Sequence, residues 1–571
     1  MRVNDPKLAA PGVGPAADIA SRTAADSAAV SSSASDVAQR TAADSAAGIV
    51  PRTAAARHAV LVDFGSTYTK MAVCDLRARR IVTTAKFPST VATDASIALS
   101  QCYDAARSAI GAAAFDAAAK IASSSAAGGL RMAVSGLSRS LSIEAGRSAA
   151  FGAGAKILRT FSGRLKPSDI EDLSRLPVEI LLVTGGYDHG NRTTVLANCE
   201  LLASAPIHMP IVFAGNCDVA PDVRRMLTFA GKEFYIVPNI LPSVGVVNSA
   251  PVEDIIRDLF LKRIVNMKGL DKVTGLLDRL VMPTPKAVLS ACELLSIGPG
   301  GSSGTSHAGA LPSEDPAGNT RTDGPAASAC TGGLGDLLVV DVGGATTDIH
   351  SCCEPRTYNG AKQVGTPPPY TRRTVEGDLG MRESSDTLLE EAGIGTASTD
   401  DSSTNNHSGT AIAAGVSVGS AGIASDIGNL TQAEITAVID RWHETHEALP
   451  STDAEAAVDR FLAENAVRIS ARRHAGRIEP TVGSEIRYVQ HGKNLTGIRT
   501  VIGTGGPLIF SRYGRDLLKQ VLRDPDREPD VLLPADARIL LDEDYIFFAA
   551  GLLREIDEDA AFEVMLHSLR I

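Results

Sequence analysis

Two segments of the sequence, residues 63–70 (DFGSTYTK) and 341–348 (DVGGATTD), repeat one pattern of potentially reactive side chains. Each segment begins with an aspartate at the end of an apolar run and continues through glycine into small hydroxyl residues. Glycine permits a tight turn and a close backbone approach, so consecutive N–H groups can face the oxygens of a phosphate. The residues that we predict to contact phosphate are Gly65, Ser66 and Thr67 in the first segment and Gly343, Gly344, Thr346 and Thr347 in the second.

The two aspartates, Asp63 and Asp341, would repel a phosphate unless a cation lay between them. Mg²⁺ takes oxygen ligands, keeps several waters and bridges phosphate oxygens, so two facing carboxylates suit it. We therefore predict that Asp63 and Asp341 hold Mg²⁺ and take part in catalysis. Lys70 could reach a terminal phosphate, but we interpret it as a strand lysine that faces solvent.

A third glycine-bearing loop, residues 503–507 (GTGGP), also follows an apolar run. It has no carboxylate, so Gly503, Gly505 and Gly506 suit a flat nucleoside that lies against bare backbone. Taken alone, this loop is more typical of an ordinary turn after a strand. The three loops in this order indicate a nucleotide site.

Further carboxylates could complete such a site. Glu376 and Asp378 precede a helix-like run, and one of the two could orient the attacking water. We predict Asp378 as the catalytic residue of the pair. The alternative is that Asp378 only serves the start of that helix. Asp188 follows an apolar run, and it could line the same cleft or simply occupy a turn.

His350 lies in the segment DIHSCC, which nearly reproduces D-x-H-x-x-G, a pattern by which some cobalamin proteins supply an axial histidine. Position 353 is cysteine rather than glycine, and the segment continues the second phosphate loop. We therefore predict that His350 lies on a buried strand and does not bind cobalamin directly.

The elements that must position these residues are short apolar runs ending at Gly, Asn, Asp or Pro, which predict buried strands. These runs are residues 59–64, 69–74, 80–86, 180–184, 211–214, 234–237, 337–341 and 500–502, of which the first three could form a meander. Capping boxes at Thr431/Glu434 and Thr452/Glu455 predict helices that extend to about residues 448 and 473. Strands feeding helices predict α/β layers with sites at the carboxyl ends of the strands.

Composition excludes several functional classes. The chain has 571 residues and a net charge of −11, which argues against a protein dominated by binding to nucleic-acid phosphates. Aromatic residues make up only 4%, so a stacking platform for single strands is not expected. No apolar run approaches the ~20 residues of a membrane span, and no signal pattern opens the chain, which predicts a cytoplasmic protein without membrane contact. The scattered cysteines form no C-x-x-C pair and no histidine cluster adjoins them, which argues against a structural zinc site.

Three stretches of low complexity interrupt the pattern. Residues 1–56 are rich in alanine and lack aromatic residues, which predicts a disordered tail. Residues 299–336 and 396–429 are rich in small and polar residues, and we interpret both as disordered insertions in a folded frame.

The three loops resemble the two phosphate motifs and the adenosine motif of the actin, sugar-kinase and heat-shock-chaperone ATPase superfamily. Several longer segments resemble, more specifically, the glutamate mutase accessory proteins of the GlmL or MutL type. These segments are LVDFGSTYTK, LLVTGGYDHGN, VPNILPSVGVVN, TPKAVLSACELL, VVDVGGATTDIHS, VEGDLGMR and VIGTGG. The narrower resemblance spans roughly residue 60 to the C-terminus, apart from the insertions.

The resemblance implies an α/β fold with two duplicated actin-like ATPase domains, of the ribonuclease-H-like fold, that close on ATP and Mg²⁺. We place these domains at residues 57–285 and 286–571. It also implies a partner ATPase for an adenosylcobalamin-dependent mutase, in a family generally inferred to release damaged cobalamin. Turnover would be slow, with ATP acting as a switch.

Three alternatives stay open at this point. They are a small-molecule kinase on the same scaffold, an iron–sulfur activator ATPase, and a scaffold that binds nucleotide without hydrolysing it. Which mutase is served, and the oligomeric state, are not specified by the sequence.

Overall fold

The computed structural model describes residues 56–91, 93–125, 130–264, 276–301, 332–365, 367–394, 427, 430–481 and 488–571. Almost all of the predicted N-terminal tail and most of both predicted insertions lie outside these ranges, so their predicted disorder stays a prediction. The described elements are numbered below in chain order.

The strands are β1 (His58–Phe64), β2 (Tyr68–Asp75), β3 (Arg80–Pro88), β4 (Ala119–Ser124), β5 (Arg131–Gly136), β6 (Lys156–Ser162), β7 (Ile180–Gly185), β8 (Ile211–Gly215), β9 (Phe234–Ile236), β10 (Arg279–Pro283), β11 (Leu337–Val342), β12 (Thr347–Cys352), β13 (Lys362–Val364), β14 (Thr371–Glu376), β15 (Arg477–Pro480), β16 (Tyr488–His491), β17 (Thr500–Thr504) and β18 (Arg538–Leu541).

The α-helices are α1 (Ala95–Ile110), α2 (Ala112–Asp116), α3 (Glu144–Gly152), α4 (Pro167–Arg175), α5 (Thr193–Ser204), α6 (Ala220–Phe229), α7 (Ala250–Ile264), α8 (Thr284–Ile297), α9 (Ser385–Glu391), α10 (Gln432–Glu444), α11 (Asp453–His474), α12 (Gly506–Ile509), α13 (Gly514–Leu518), α14 (Phe547–Leu553) and α15 (Glu558–Ser568).

The first sheet has the strand order β10-β4-β1-β2-β3. Strands β1, β2 and β3 form an antiparallel meander, as the sequence predicted, whereas β4 and β10 continue the sheet parallel to β1. In this register Asp63 near the end of β1 lies opposite Lys70 of β2. The β1–β2 turn therefore lies at the same edge as the carboxyl ends of β4 and β10.

The second sheet repeats this topology with the order β14-β12-β11-β17-β18. Strand β11 takes the place of β1, with β12 and β14 antiparallel on one side and β17 and β18 parallel on the other. Asp341 lies opposite Asp348 in the position that Asp63 and Lys70 occupy in the first sheet. One architecture is thus used twice within the chain.

The third sheet comes between β4 and β10 in the sequence and is entirely parallel. Its order is β6-β5-β7-β8-β9, and every residue of β7 and β8 is buried. Strands covered on both faces read as continuous apolar runs, which is why these two were recognisable in the sequence. A smaller fourth sheet has the order β13-β16-β15, and its strands come between strands of the second sheet in the sequence.

One apolar cluster joins the first and second sheets. It contains residues of β1 and β11 together with residues of α8 and α14, among them Leu61, Val339, Ala287 and Phe547. Burial of these side chains removes apolar surface from water and fixes the two sheets relative to each other. The position of the β1–β2 turn against the β11–β12 turn follows from this packing.

Both predicted capping boxes are confirmed. Thr431 and Glu434 cap α10, and Thr452 and Glu455 cap α11, with each threonine hydroxyl accepting from the backbone N–H three residues on. Helix α10 ends at Glu444, a few residues before the predicted boundary, and α11 ends at His474.

The mixed α/β class is confirmed, and Arg57–Ile571 forms one compact unit. The boundaries proposed at residues 57–285 and 286–571 remain predictions. Among the described residues, no helix combines the length and apolar character needed to cross a bilayer.

Candidate functional site

The β1–β2 turn and the β11–β12 turn share one hydrogen-bonding pattern. Gly65 N–H donates to Tyr68 O at 3.1 Å, and Gly343 N–H donates to Thr346 O at 2.9 Å. The other amides in the two turns have no acceptor in the described part of the chain, and they belong to Ser66, Thr67, Gly344 and Ala345. Each turn therefore presents N–H groups that an anion could accept.

The two turns come within contact distance of each other. A Cβ atom added to Gly344 would lie 3.0 Å from the Thr67 hydroxyl oxygen, so a larger residue at 344 would crowd the first turn. The carbonyl of Gly344 also accepts from the N–H groups of Arg382 and Glu383 at 2.8 and 3.0 Å. These bonds hold the second turn against the segment that follows β14.

Asp63 is fully buried and its charge is balanced from within the first sheet. Its carboxylate lies 2.8 Å from Lys70 Nζ and accepts hydrogen bonds from Ser123 at 3.3 Å and from Thr284. The Lys70 side chain is only 17% exposed, so our interpretation of it as a solvent-facing lysine was wrong. The reason is the register of β1 and β2, which points Lys70 inward beside the aspartate.

The ammonium group of Lys70 is held by more than Asp63. Its Nζ lies 3.3 Å from the Tyr545 hydroxyl and 4.6 Å from the centre of that ring. Burial alone would lower the pKa of Lys70, but the negative charge of Asp63 and the neighbouring Tyr545 outweigh burial and raise the pKa above its ordinary value. Lys70 is therefore a fixed cation at this site.

Asp341 has the opposite character. Its backbone pairs within the second sheet, but its carboxylate forms no hydrogen bond or ion pair with any residue that the structure describes. Burial, followed by the charge of Asp348 and then by the charges of Asp63 and Asp542, raises the pKa of Asp341 to about 7, although Lys70 acts in the other direction. A carboxylate in this setting favours a proton or an added cation.

The third loop lies beside the second turn. Gly505 has φ 95° and packs so closely on the carbonyl of Val342 that a Cβ atom would clash with it. Gly503 lies within β17, and Gly506 begins the short helix α12. Thr504 donates to the buried carboxylate of Asp542 at 2.9 Å, which ties this loop to the end of β18.

Aromatic residues at the edge of the site connect the two sheets. Phe510 follows α12 and is 62% exposed, and Lys86 Nζ of β3 lies 3.7 Å from the centre of its ring. Tyr68 OH donates to Glu447 O at 3.1 Å, which forms a second link across the same edge.

Two of the predicted hydroxyl residues are already engaged by the protein. Thr347 is buried and its hydroxyl donates to Leu379 O at 2.7 Å, whereas Thr346 donates to Asp348 at 3.0 Å. Thr346 and Thr347 therefore stabilise the second hairpin. In the first turn, the hydroxyls of Ser66 and Thr67 donate no hydrogen bond to a described residue.

Asp378 lies in an ion-pair cluster. The guanidinium of Arg473 contacts Asp378 at 2.8 Å, Glu376 at 2.8 Å and Glu391 at 2.9 Å. Burial raises the pKa of Glu376, although Arg473 acts against this shift. The cluster accounts for Asp378 structurally, and its catalytic role remains a prediction.

Asp188 and His350 lie outside the paired turns. Asp188 follows β7 in the third sheet, where it accepts from the backbone N–H of Cys217 and from Asn239, both at 2.8 Å. His350 is fully buried in β12, as predicted. Burial, reinforced by the positive charge of Arg373, holds the pKa of His350 well below its ordinary value.

Sequence reasoning missed three residues of this site. Thr284 and Ser123 bind Asp63 from the ends of β10 and β4, and Tyr545 approaches Lys70 from the segment before α14. Ser123 and Thr284 do follow the pattern of polar residues at strand ends, and that signal could have found them. Tyr545 carries no such local signal.

The donor chemistry of the site fits Mg²⁺ bound to a phosphate. Carboxylate oxygens are the ligands that Mg²⁺ prefers, and the carboxylate of Asp341 forms no ion pair with a described residue. The amides of both turns that lack acceptors among the described residues could bind the oxygens of an anion. Fold and site together define an α/β protein in which two sheets of equal topology present matched turns to each other.

Comparison with known proteins identifies the family within that class. The sequence profile of the MutL protein family matches residues 59–307 and 326–569, so this chain belongs to the MutL family. It is 32% identical over 508 residues to Protein MutL of Clostridium tetanomorphum, across 89% of this chain and 98% of that relative. The resemblance to the glutamate mutase accessory proteins is thereby confirmed, and the break in the match lies within the first predicted insertion.

Among solved structures, a nucleotide-free structure of acetone carboxylase aligns with this fold. It covers 86% of this chain and 70% of the other, at 12% identity and a TM-score of 0.31.

Proposed function

We propose that this protein binds ATP with Mg²⁺ between the β1–β2 and β11–β12 turns and hydrolyses it slowly. In this proposal the two repeated sheets are the actin-like ATPase domains that the sequence predicted. The observation that carries it is the position of Asp341, a carboxylate without a partner in the described chain, beside turn amides that also lack acceptors.

Each group of this chain has a defined part in the proposed reaction. Mg²⁺, when bound, would neutralise charge on the phosphate oxygens. Asp341 and Asp63 would hold the ion, directly or through its waters, while the amides of the two turns orient the phosphates. Lys70 adds positive charge at the site beside Asp63. Gly503, Gly505 and Gly506 would support the nucleoside.

The proposed partner is an adenosylcobalamin-dependent mutase such as glutamate mutase. Membership of the MutL family supports this proposal, since the glutamate mutase accessory proteins are its members. Because the nucleotide would bind both turns at once, its presence would bias how closely the two sheets approach, and thereby the affinity for the partner. ATP would thus act as a switch. The absence of direct cobalamin ligation by His350 and a cytoplasmic location remain predictions.

The test is ATP hydrolysis by the purified chain with Mg²⁺, alone and with a cobalamin-dependent mutase. The variant Asp341→Asn keeps the shape of the side chain and removes its charge. Asp536→Asn is the matched control, because Asp536 is 91% exposed on the surface.

We expect slow hydrolysis that the mutase stimulates, that Asp341→Asn abolishes and that Asp536→Asn preserves. Nucleotide binding without hydrolysis in any condition would favour a scaffold. Hydrolysis at the wild-type rate by Asp341→Asn would overturn the proposed site.

A further inference from the structure

The carboxyl ends of β7 and β8 bring together a group of metal-type ligands that lies outside the paired turns. His189 Nδ1 lies 3.0 Å from Asp218 Oδ1, and Cys217 Sγ lies 3.9 Å from the same oxygen. The three ligand atoms all lie within 4.8 Å of one another. They form an imidazole, thiol and carboxylate set rather than a cluster of one residue type.

No local sequence motif predicts this group, because its members come from two loops. His189 follows β7, while Cys217 and Asp218 follow β8. These strands are adjacent and parallel, so their loops meet at one edge of the sheet. A search for closely spaced cysteines and histidines, on which we based the expectation of no zinc site, cannot detect such a pairing.

We propose that His189, Cys217 and Asp218 bind a divalent metal ion of the zinc class. Nitrogen, sulfur and carboxylate oxygen are the ligands of zinc, at about 2.0–2.3 Å, so neighbouring ligands of a tetrahedral N, S, O site are about 3.3–3.6 Å apart. The separations of 3.0 and 3.9 Å from Asp218 Oδ1 lie on either side of those values. Hard ions such as Mg²⁺ do not select sulfur, which separates this site from the one at Asp341.

The surroundings hold the ligand loops in place. Asp188 accepts from the backbone N–H of Cys217 at 2.8 Å and from Asn239 at 2.8 Å, and it thereby fixes the β7 loop to the β8 loop. Arg192 lies 4.0 Å from the second oxygen of Asp218, leaving Asp218 Oδ1 directed at His189. Asp188 is therefore a positioning residue.

The fourth ligand position would face solvent. The His189 side chain is 82% exposed, and Cys217 is exposed as well. Three protein ligands with one open position is the arrangement of zinc sites that accept a water or an outside donor. The site would therefore take a water, a small-molecule donor or a donor from another protein as its fourth ligand.

The test uses the full chain after treatment with a chelator, titrated with Zn²⁺ against a chromophoric competitor. His189→Gly and Cys217→Ser remove single ligands. His189 has φ 63°, a conformation that glycine adopts without strain, so His189→Gly should fold. His208→Gln is the matched control, since His208 is exposed but precedes β8 and lies at the opposite edge of the sheet.

We expect one equivalent of Zn²⁺ per wild-type chain and per His208→Gln chain, and affinities at least about a hundredfold weaker in both ligand variants. A second readout is alkylation of the Cys217 peptide, measured by mass spectrometry, which Zn²⁺ should slow in wild type and not in His189→Gly. Equal zinc affinity in wild type and ligand variants, or alkylation of Cys217 unaffected by Zn²⁺, would overturn the proposal. Because neither readout involves nucleotide, the result is independent of ATP binding.

Discussion

The two hairpins β1–β2 and β11–β12 share register and turn geometry but differ at one decisive position. The residue opposite Asp63 is Lys70, whereas the residue opposite Asp341 is Asp348. Asp348 cannot neutralise Asp341, and it is itself paired with Arg373 at 2.8 Å. The first hairpin therefore balances its own aspartate, and the second leaves its aspartate among like charges.

This difference shows that a repeated fold can place two matched aspartates in opposite electrostatic surroundings. The buried carboxylate of Asp63 lies beside a fixed cation, so removal of either partner would leave the other unpaired inside the protein. Asp341 lies among other acids, and in our proposal it is the carboxylate that accepts the added cation. The same backbone therefore places one aspartate beside a cation of the chain and the other among like charges, and in our proposal both aspartates hold the ion.

The substitution Lys70→Met should have the largest effect on the difference between the two hairpins. Removal of the ammonium group leaves Asp63 buried and unpaired, so we expect a loss of about 3–5 kcal/mol in the free energy of unfolding. Chemical denaturation would measure it. The double variant Asp63→Asn/Lys70→Met should recover part of the loss, because no charge is then left unpaired. Equal stability of Lys70→Met and wild type would contradict the role given to the first hairpin.

The second hairpin should respond to pH in the opposite way to a paired carboxylate. The pKa of Asp341 rises from 3.8 to about 7 on folding, so between these values the folded chain holds more protons than the unfolded chain. This group's contribution to stability is therefore lost as the pH rises from about 4 to about 7.

Asp341→Asn removes that penalty, so the variant should be more stable than wild type at pH 8 by about 2 kcal/mol after allowance for solvent screening, and equal to it near pH 4. Denaturation curves at both pH values test this. A stability difference that does not change with pH would show that Asp341 titrates normally.

Thr284→Val should destabilise the first hairpin by less than Lys70→Met. It removes the hydrogen bond that the Thr284 hydroxyl donates to the buried Asp63 carboxylate, for an expected loss of about 2 kcal/mol. Ser123→Ala removes the longer 3.3 Å bond to the same carboxylate and should cost less. A larger loss in Ser123→Ala than in Thr284→Val would reverse the order that the geometry gives.

The smallest expected effect is that of Tyr545→Phe. The hydroxyl lies 3.3 Å from Lys70 Nζ, whereas the ring stays in place to contact the ammonium group, so the loss should be about 0.5–1 kcal/mol. Thermal unfolding would detect the corresponding shift. A loss as large as that of Lys70→Met would mean that Tyr545, and not Asp63, is the main partner of Lys70.

Local patterns in the sequence predicted much of this fold. Buried strands such as β7 and β11 read as apolar runs that end at glycine or aspartate, and the capping boxes of α10 and α11 contain all of their partners within four residues. These features depend on neighbours along the chain, and they were therefore visible without a structure.

The parts of the site that were missed depend on distant contacts. Lys70 looked solvent-facing because only the pairing of β1 with β2, and the approach of Tyr545, place it inside. Asp188 and Cys217 meet because two parallel strands are neighbours in the third sheet, which no local spacing reveals. The roles of Asp341 and Asp378 remain predictions that experiment must decide.

The proposal that Asp341 accepts the cation is tested most directly by calorimetry of ATP binding at pH 8. Binding is measured with Mg²⁺ and with chelator, for wild type and Asp341→Asn. We predict that Mg²⁺ strengthens binding to wild type by at least about tenfold, or 1.4 kcal/mol, and leaves binding to Asp341→Asn nearly unchanged. An equal Mg²⁺ effect in both proteins would contradict the assignment of Asp341 as the residue that accepts the cation.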